Sequence, residues 1–324
     1  MRKLALIILV QVWLLTLIAT GFGCKAQSGK EVTVGNKNFT EQYIVGQLIK
    51  QLLENRGFTV ELKSGHTSSS LREAMEFGDI DICTEYSGTA WMVHLGQKYK
   101  PGMDRNEVYR LVKKEEEDNG LIWLKPMWNN NTYALASWPQ FAQKHGLRTI
   151  SDLAALYREK QGKIKTSVGL EFSTRSDGLP ALENHYNFKV AQPYIMTKPV
   201  AAPKQSLEKG LSDVAMVFGT DPEVAKYRWH VYMDDKNFFP PYDLVPYVRK
   251  EVLDTYPEIA DILNELVATF PGGGEPSTPE IVAECQKVWQ ELNAKVDIKP
   301  EKEGMKRMEP DEVAHEYLVK HGLI

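Results

Sequence analysis

From residue 31 onward short strand-like segments alternate with amphipathic helix-like ones, an order that commits the chain to a mostly parallel sheet with helices on its faces. Val32-Thr33-Val34 reads as a strand, and 40–56 as a helix with Ile44, Leu48 and Leu52 on one face, closed by Gly57. Residues 58–62 alternate as a half-buried strand does, 68–77 reads as a helix stopped by Gly78, and 80–83 as the next strand. A second block of the same kind runs from Thr132 to about Val231, with strands over 133–136, 165–170 and 214–218 and a helix opening at Ser151. The blocks echo each other. Gly78-x-x-Asp81-Ile82-x-x-x-Tyr86 returns as Gly210-x-x-Asp213-Val214-x-x-x-Phe218, in each case a helix stop, a strand and an aromatic residue just past it. Four matches in nine positions also lie within reach of chance. Two similar lobes would each set an aromatic at the carboxyl ends of their strands, where open α/β sheets take ligands.

Beyond Tyr242 the chain reads as helical, over 249–255, 257–270, 278–296 and 310–321, with a break at 271–276. These helices are expected to pack back on the first lobe. Lobe 1 is then 24–127 plus 241–324 and lobe 2 is 128–240, joined by two crossing strands suited to hinge closure.

The N-terminus carries Arg2 and Lys3, an apolar run over 4–19 and small residues before Cys24. Sixteen residues fall short of the roughly 20 that a bilayer span needs, so 1–23 reads as a cleaved signal peptide. Cys24 stands where a lipoprotein signal places its acylated cysteine, although Gly21-Phe22-Gly23 matches a lipobox only in part; plain secretion is the alternative. Without 1–23 the formal charge moves from −4 to −6, and this mildly acidic balance, with no basic cluster, argues against nucleic acid as a partner. Cys83 and Cys285 are too few for a disulfide framework and read as small core residues.

Phosphate loops, a Gly-x-Ser-x-Gly elbow and His-Glu-x-x-His are all missing, and the histidines lack metal-site spacing, so neither a metal nor a cofactor is expected. Aromatic residues do stand in polar, turn-rich settings: Tyr86 in Glu-Tyr-Ser-Gly-Thr, Tyr133 after Asn129-Asn130-Asn131-Thr132, and Tyr242 after Phe238-Phe239-Pro240-Pro241. Each reads equally as a packed tyrosine of a core or hinge.

Five segments together carry a resemblance. They are Gly35-Asn-Lys37-Asn-Phe39-Thr-Glu-Gln42, Gly78-Asp-Ile-Asp-Ile-Cys-Thr-Glu85-Tyr-Ser-Gly-Thr89, Asn130-Asn-Thr-Tyr-Ala-Leu-Ala136, Glu171-Phe-Ser-Thr-Arg175-Ser-Asp-Gly178 and Phe238-Phe-Pro-Pro-Tyr242. In this order they resemble the glycine betaine, choline and osmoprotectant-binding proteins of ABC transporters. The resemblance implies an α/β, two-lobed periplasmic-binding-protein-like type II fold with a hinge and an interlobe ligand cleft. It also implies a non-enzymatic monomer that hands a quaternary-ammonium ligand to a membrane permease. By motif, the aromatic box would be Tyr86, Tyr133, Phe218 and Tyr242, and the ligand carboxylate would meet Lys37, Thr89 and Arg175. The box has a physical basis, because a quaternary ammonium has no N–H to donate and is attracted instead by ring faces. Arg175 could grip a carboxylate by two parallel bonds and Lys37 could add a compact charge, which favours a zwitterionic betaine over choline. On its own, Arg175 reads as a surface salt bridge with Asp177, and Lys37 as a solvated charge. Phe218 stands where the family usually has tyrosine, so a hydroxyl is lost while the ring face remains. The tracts 198–206 and 222–230 and Trp128 also depart from the pattern, leaving carnitine, choline or an amino acid as alternative ligands. An enzyme on the same scaffold would have only Glu85 and Asp221 as nearby carboxylates.

Overall fold

The computed structural model describes residues 29–200, 202–300 and 306–324. The signal segment and Cys24 lie outside the described residues. Among the described residues no helix is long and apolar enough to cross a membrane.

Two five-stranded sheets share one plan. The first is built from β1 (Lys30–Lys37), β2 (Phe58–His66), β3 (Ile82–Tyr86), β4 (Leu121–Trp123) and a late strand, β10 (Leu244–Arg249), in the order β2-β1-β3-β10-β4. The second holds β5 (Tyr133–Ser137), β6 (Thr166–Gly169), β7 (Ile195–Lys198), β8 (Val214–Phe218) and β9 (His230–Val231), in the order β7-β6-β8-β5-β9. In each, three parallel strands are followed by one that runs against them, β10 beside β3 and β5 beside β8. Helices flank both sheets. The helix Thr40–Asn55 buries Ile44, Val45, Leu48, Ile49, Leu52 and Leu53 at helical spacing, and the helices Pro279–Asp297 and Pro310–Lys320 pack against it. Cys83 and Cys285 are buried free thiols.

The repeated Gly-x-x-Asp has a structural cause. Gly78 and Gly210 both adopt left-handed backbone, with φ of +83° and +65°, which ends the preceding helix at little steric cost. The aspartate then clamps the neighbouring strand from both sides. Asp81 donates its N–H to the Thr33 carbonyl at 2.9 Å and accepts the Thr33 N–H at 2.8 Å. Asp213 does the same with Lys165, at 2.8 and 3.1 Å. Ile80 and Asp81 therefore belong to the turn, and the strand starts later than its sequence suggests. Tyr86 and Phe218 are the last residues of β3 and β8, not residues beyond them.

The reading of everything after Tyr242 as helical is wrong at β10. Leu244-Val245-Pro246-Tyr247-Val248 is buried between β3 and β4, and the proline disguises it. The N–H and C=O of one strand residue point the same way, and the Pro246 carbonyl accepts the Leu124 N–H at 2.9 Å. The missing N–H thus faces the end of the short β4, where no ladder bond is required.

Replacing Asp81 by alanine should cost about 1–2 kcal/mol, the cost of orphaning a part-buried strand N–H, and Asp213→Ala should cost less, because the Lys165 N–H it releases is exposed to water. Since the two sit in separate sheets, urea unfolding of the double variant should give the sum.

Candidate functional site

The chain passes between the sheets twice, and an asparagine run fastens the two passages together. Asn131 donates its N–H to the Tyr242 carbonyl at 2.8 Å, and Met127 to that of Leu244 at 2.8 Å. Between these, side-chain amides replace the backbone: the Tyr242 N–H reaches Asn130 Oδ1 at 3.0 Å and the Leu244 N–H reaches Asn129 Oδ1 at 2.9 Å. Asn130 has a φ of +41°, a conformation asparagine tolerates better than most residues.

Each passage feeds a strand that enters its sheet antiparallel, and the register decides where the aromatic rings meet. Tyr133, first in β5, stands opposite Phe218, last in β8; Leu244 stands opposite Tyr86, with Tyr242 two residues before it. All seven site residues expected from the sequence line one cavity of about 610 Å³. Tyr133 lies 5.3 Å from Phe218 and 5.6 Å from Tyr242, centroid to centroid. Tyr86 joins them through a ring the sequence reading left out. Phe39 stacks on Phe218 at 5.4 Å and on Tyr86 at 6.2 Å, so it bridges the first sheet to the second. Phe172 adds a further ring, 4.8 Å from Tyr133.

The tyrosines are fixed from behind. The Tyr86 hydroxyl donates to Glu41 at 2.8 Å and accepts from Gln42 and Asn131, each at 3.1 Å. Glu41 also accepts from Asn129 and Asn131, at 2.9 and 3.2 Å. Tyr242 donates its hydroxyl to Asp177 at 2.8 Å. The Tyr133 hydroxyl has no hydrogen-bond partner among the described residues.

Both cations of the site already have anionic partners. Lys37 is buried, ion-paired to Glu85 at 2.5 Å, with its ammonium 5.2 Å above the Tyr86 ring. His94 approaches the other Glu85 oxygen at 2.9 Å. Burial alone would push the Glu85 carboxyl up, but the Lys37 ammonium and His94 outweigh it and hold it at about 2. Arg175 forms a two-point pair with Asp177, at 2.7 and 2.5 Å, and lies 5.5 Å over the Tyr133 ring. It also spans the cleft to Thr89 Oγ1 at 3.1 Å and Ser68 Oγ at 3.3 Å. The pair with Asp177 exists, as the isolated reading had it, but it is buried rather than at the surface. Neither cation is unpaired, so a ligand carboxylate would have to share or displace an anion already in place. Gly178 permits this arrangement, because a Cβ there would stand 2.1 Å from the Phe172 carbonyl oxygen.

The carboxylates near the cavity are likewise engaged. Glu85 is held as above, and Asp221 binds Lys204 at 3.0 Å and the Phe218 N–H at 2.7 Å. Asp177, expected only as a partner of Arg175, and Glu41, which has no role in the sequence reading, also reach the box, through the hydroxyls of Tyr242 and Tyr86. Asp221, Glu223 and Asp297 bring carboxylate oxygens within 4.8 Å of one another, a geometry that could hold a metal ion. The Lys204 ammonium stands among them at 3.0, 3.1 and 2.9 Å and supplies the positive charge itself.

Residues 30–272 match the family model described as the substrate binding domain of ABC-type glycine betaine transport system. The chain is 31% identical over 310 residues to the glycine-betaine-binding protein of Pseudomonas aeruginosa, covering 94% of this chain and 92% of that protein. It is 30% identical over 303 residues to the glycine betaine-binding protein YehZ of Escherichia coli, covering 91% and 92%. The solved structure of apo YehZ matches 91% of this chain and 99% of its own, with a TM-score of 0.56 at 30% identity.

Burial raises Glu41 to about 7, Glu223 to about 7 and Asp243 to about 6. A raised acid stabilises the fold fully below its ordinary value and loses that contribution as pH climbs through its folded value. Glu85 has the opposite sign: its contribution is complete above its ordinary value and fades as pH falls toward about 2. Urea midpoints should therefore peak near pH 5 and decline toward about pH 8. Glu41→Gln should flatten the decline by up to about 3 kcal/mol.

Proposed function

Because this chain belongs to the family of substrate-binding proteins of ABC-type glycine betaine transport systems, we propose that its cleft takes a quaternary-ammonium osmolyte, with glycine betaine as the first candidate. The observation that carries this reading is the convergence of Phe39, Tyr86, Tyr133, Phe218 and Tyr242 on one cavity between two sheets. Ring faces attract an onium group by about 0.5–2 kcal/mol per desolvated contact, and no hydrogen-bond donor on the ligand is needed. The carboxylate end of a betaine is assigned to the Lys37 ammonium and the Thr89 hydroxyl. Lys37 has one hydrogen-bond acceptor among the described residues and three N–H groups to offer. Thr89 accepts from Arg175, which leaves its own proton available.

The reading includes a working cycle without chemistry. Lobe 1, residues 24–127 plus 241–324, and lobe 2, residues 128–240, turn about the asparagine-fastened passages, close on the ligand and present it to a membrane permease. The protein acts as an exported monomer, and acylation of Cys24 keeps it at the membrane. Glycine-betaine-binding relatives support the ligand class, and the cavity volume falls in the range usual for small-molecule sites.

Calorimetric titration of the purified protein with glycine betaine, choline and carnitine tests the assignment. Phe39→Ala and Tyr133→Ala should each weaken onium binding about ten-fold or more while leaving the unfolding transition cooperative. Wild-type affinity in both variants would place the onium group elsewhere.

A further inference from the structure

Arg175 is saturated. A guanidinium has five N–H donors, and here Nε and one Nη2 proton go to Asp177, the other Nη2 proton to Thr89, and the two Nη1 protons to Ser68 and Glu171. A ligand carboxylate can reach this guanidinium only by displacing a partner. Asp177 is fully buried, holds two of the bonds at 2.7 and 2.5 Å, and also receives the Tyr242 hydroxyl. Glu171 is the opposite case. Its contact is the longest of the five, at 3.4 Å, its side chain is 34% exposed, and it is the one carboxylate among the described residues that line the cavity. From the second sheet it reaches over to the helix Ser68–Phe77, accepting the Ser68 N–H at 2.9 Å and the Ser68 hydroxyl at 3.0 Å.

Its place is one a ligand carboxylate would itself choose, with a guanidinium, a hydroxyl and the first N–H of a ten-residue helix around it. We propose that Glu171 sets the preference of the cleft between a zwitterionic betaine and a carboxylate-free onium cation, by holding a negative charge beside Arg175 where a ligand carboxylate would otherwise sit. The charges around the cavity agree. Lys37 is matched by Glu85 and Arg175 by Asp177, which leaves a negative excess at Glu171; Lys198 carries the opposite charge, but it is exposed at the rim, where water and salt screen it. An onium cation gains from that excess. A betaine gains at its ammonium end and is opposed at its carboxylate end.

This inference rests on the quaternary-ammonium reading, and the two can fail separately. Glycine betaine and choline are titrated into the wild type, Glu171→Gln and Ser68→Ala at one ionic strength. Glu171→Gln removes the charge and keeps the shape, and should raise the ratio of betaine to choline affinity about five-fold, mostly through stronger betaine binding. Ser68→Ala removes the hydroxyl's bonds to Glu171 and Arg175 but keeps the carboxylate and the bond it accepts from the residue 68 N–H, and should weaken both ligands in proportion with the ratio unchanged. A ratio that stays constant in Glu171→Gln overturns the proposal, whether or not absolute affinities fall, and makes Glu171 a clasp between the lobes. If the wild type binds neither ligand, the quaternary-ammonium reading falls, and this inference falls with it.

Discussion

Strands β5 and β10 each arrive from the other half of the molecule and enter their sheets antiparallel, and the cleft is a consequence of that reversal. A parallel strand delivers its carboxyl end to the ligand edge of a sheet, whereas an antiparallel neighbour delivers its amino end to the same edge. Tyr133 at the start of β5 is therefore level with Phe218 at the end of β8, and Tyr242 enters beside Tyr86 at the end of β3. The four rings need no long loops to find one another. The asparagine run matters for the same reason: by bonding the two passages through side chains as well as backbone, it fixes the level at which both strands begin.

Burying charge next to these rings is costly unless each charge is matched, and the site matches nearly all of them in advance. An isolated buried guanidinium or ammonium would lose several kcal/mol of hydration. Arg175 and Lys37 avoid this through Asp177 and Glu85, and both cations also lie over ring faces at 5.5 and 5.2 Å. One face of Tyr133 and one face of Tyr86 are thus taken by cations of the protein itself. Selectivity in such a cleft turns on small imbalances. One partly exposed carboxylate counts for more here than the two formal cations that stand out in the sequence.

What the sequence made legible follows from locality. The Gly-x-x-Asp turns, the capped helix after Thr67 and the amphipathic helix after Phe39 are each specified within a few residues, and they stand where their patterns put them. Strand β10 escaped because Pro246 is a local signal against a strand, overridden by a neighbour that ends one residue too early to need its N–H. Phe39 carries no local signal of its role, since its stack on Phe218 joins residues far apart in the chain. The pairing of Lys37 with Glu85, 48 residues apart, is of the same kind. Residue type announces a charge, but only the fold shows whether that charge is already spoken for.

The contacts across the cleft differ in a way that bears on how it opens. Most are polar: Ser68 to Glu171, Thr89 to Arg175, and on the helix Pro279–Asp297 the side chains of Gln286, Gln290 and Asn293, which donate to the carbonyls of Gly219 and Thr220. In the proposed cycle water can replace each of these partners, at a net cost of about 0.5–1.5 kcal/mol for a bond between neutral groups and about 1.5–3 kcal/mol where one partner is charged. The stack of Phe39 on Phe218 has no such substitute, because opening it exposes two ring faces to water. A ligand onium group inserted among the rings would meet those same faces. Bonds that water can replace, together with an aromatic surface that either another ring or a cation can cover, are what the proposed cycle of closure requires: contacts that can be undone and that respond to what lies inside.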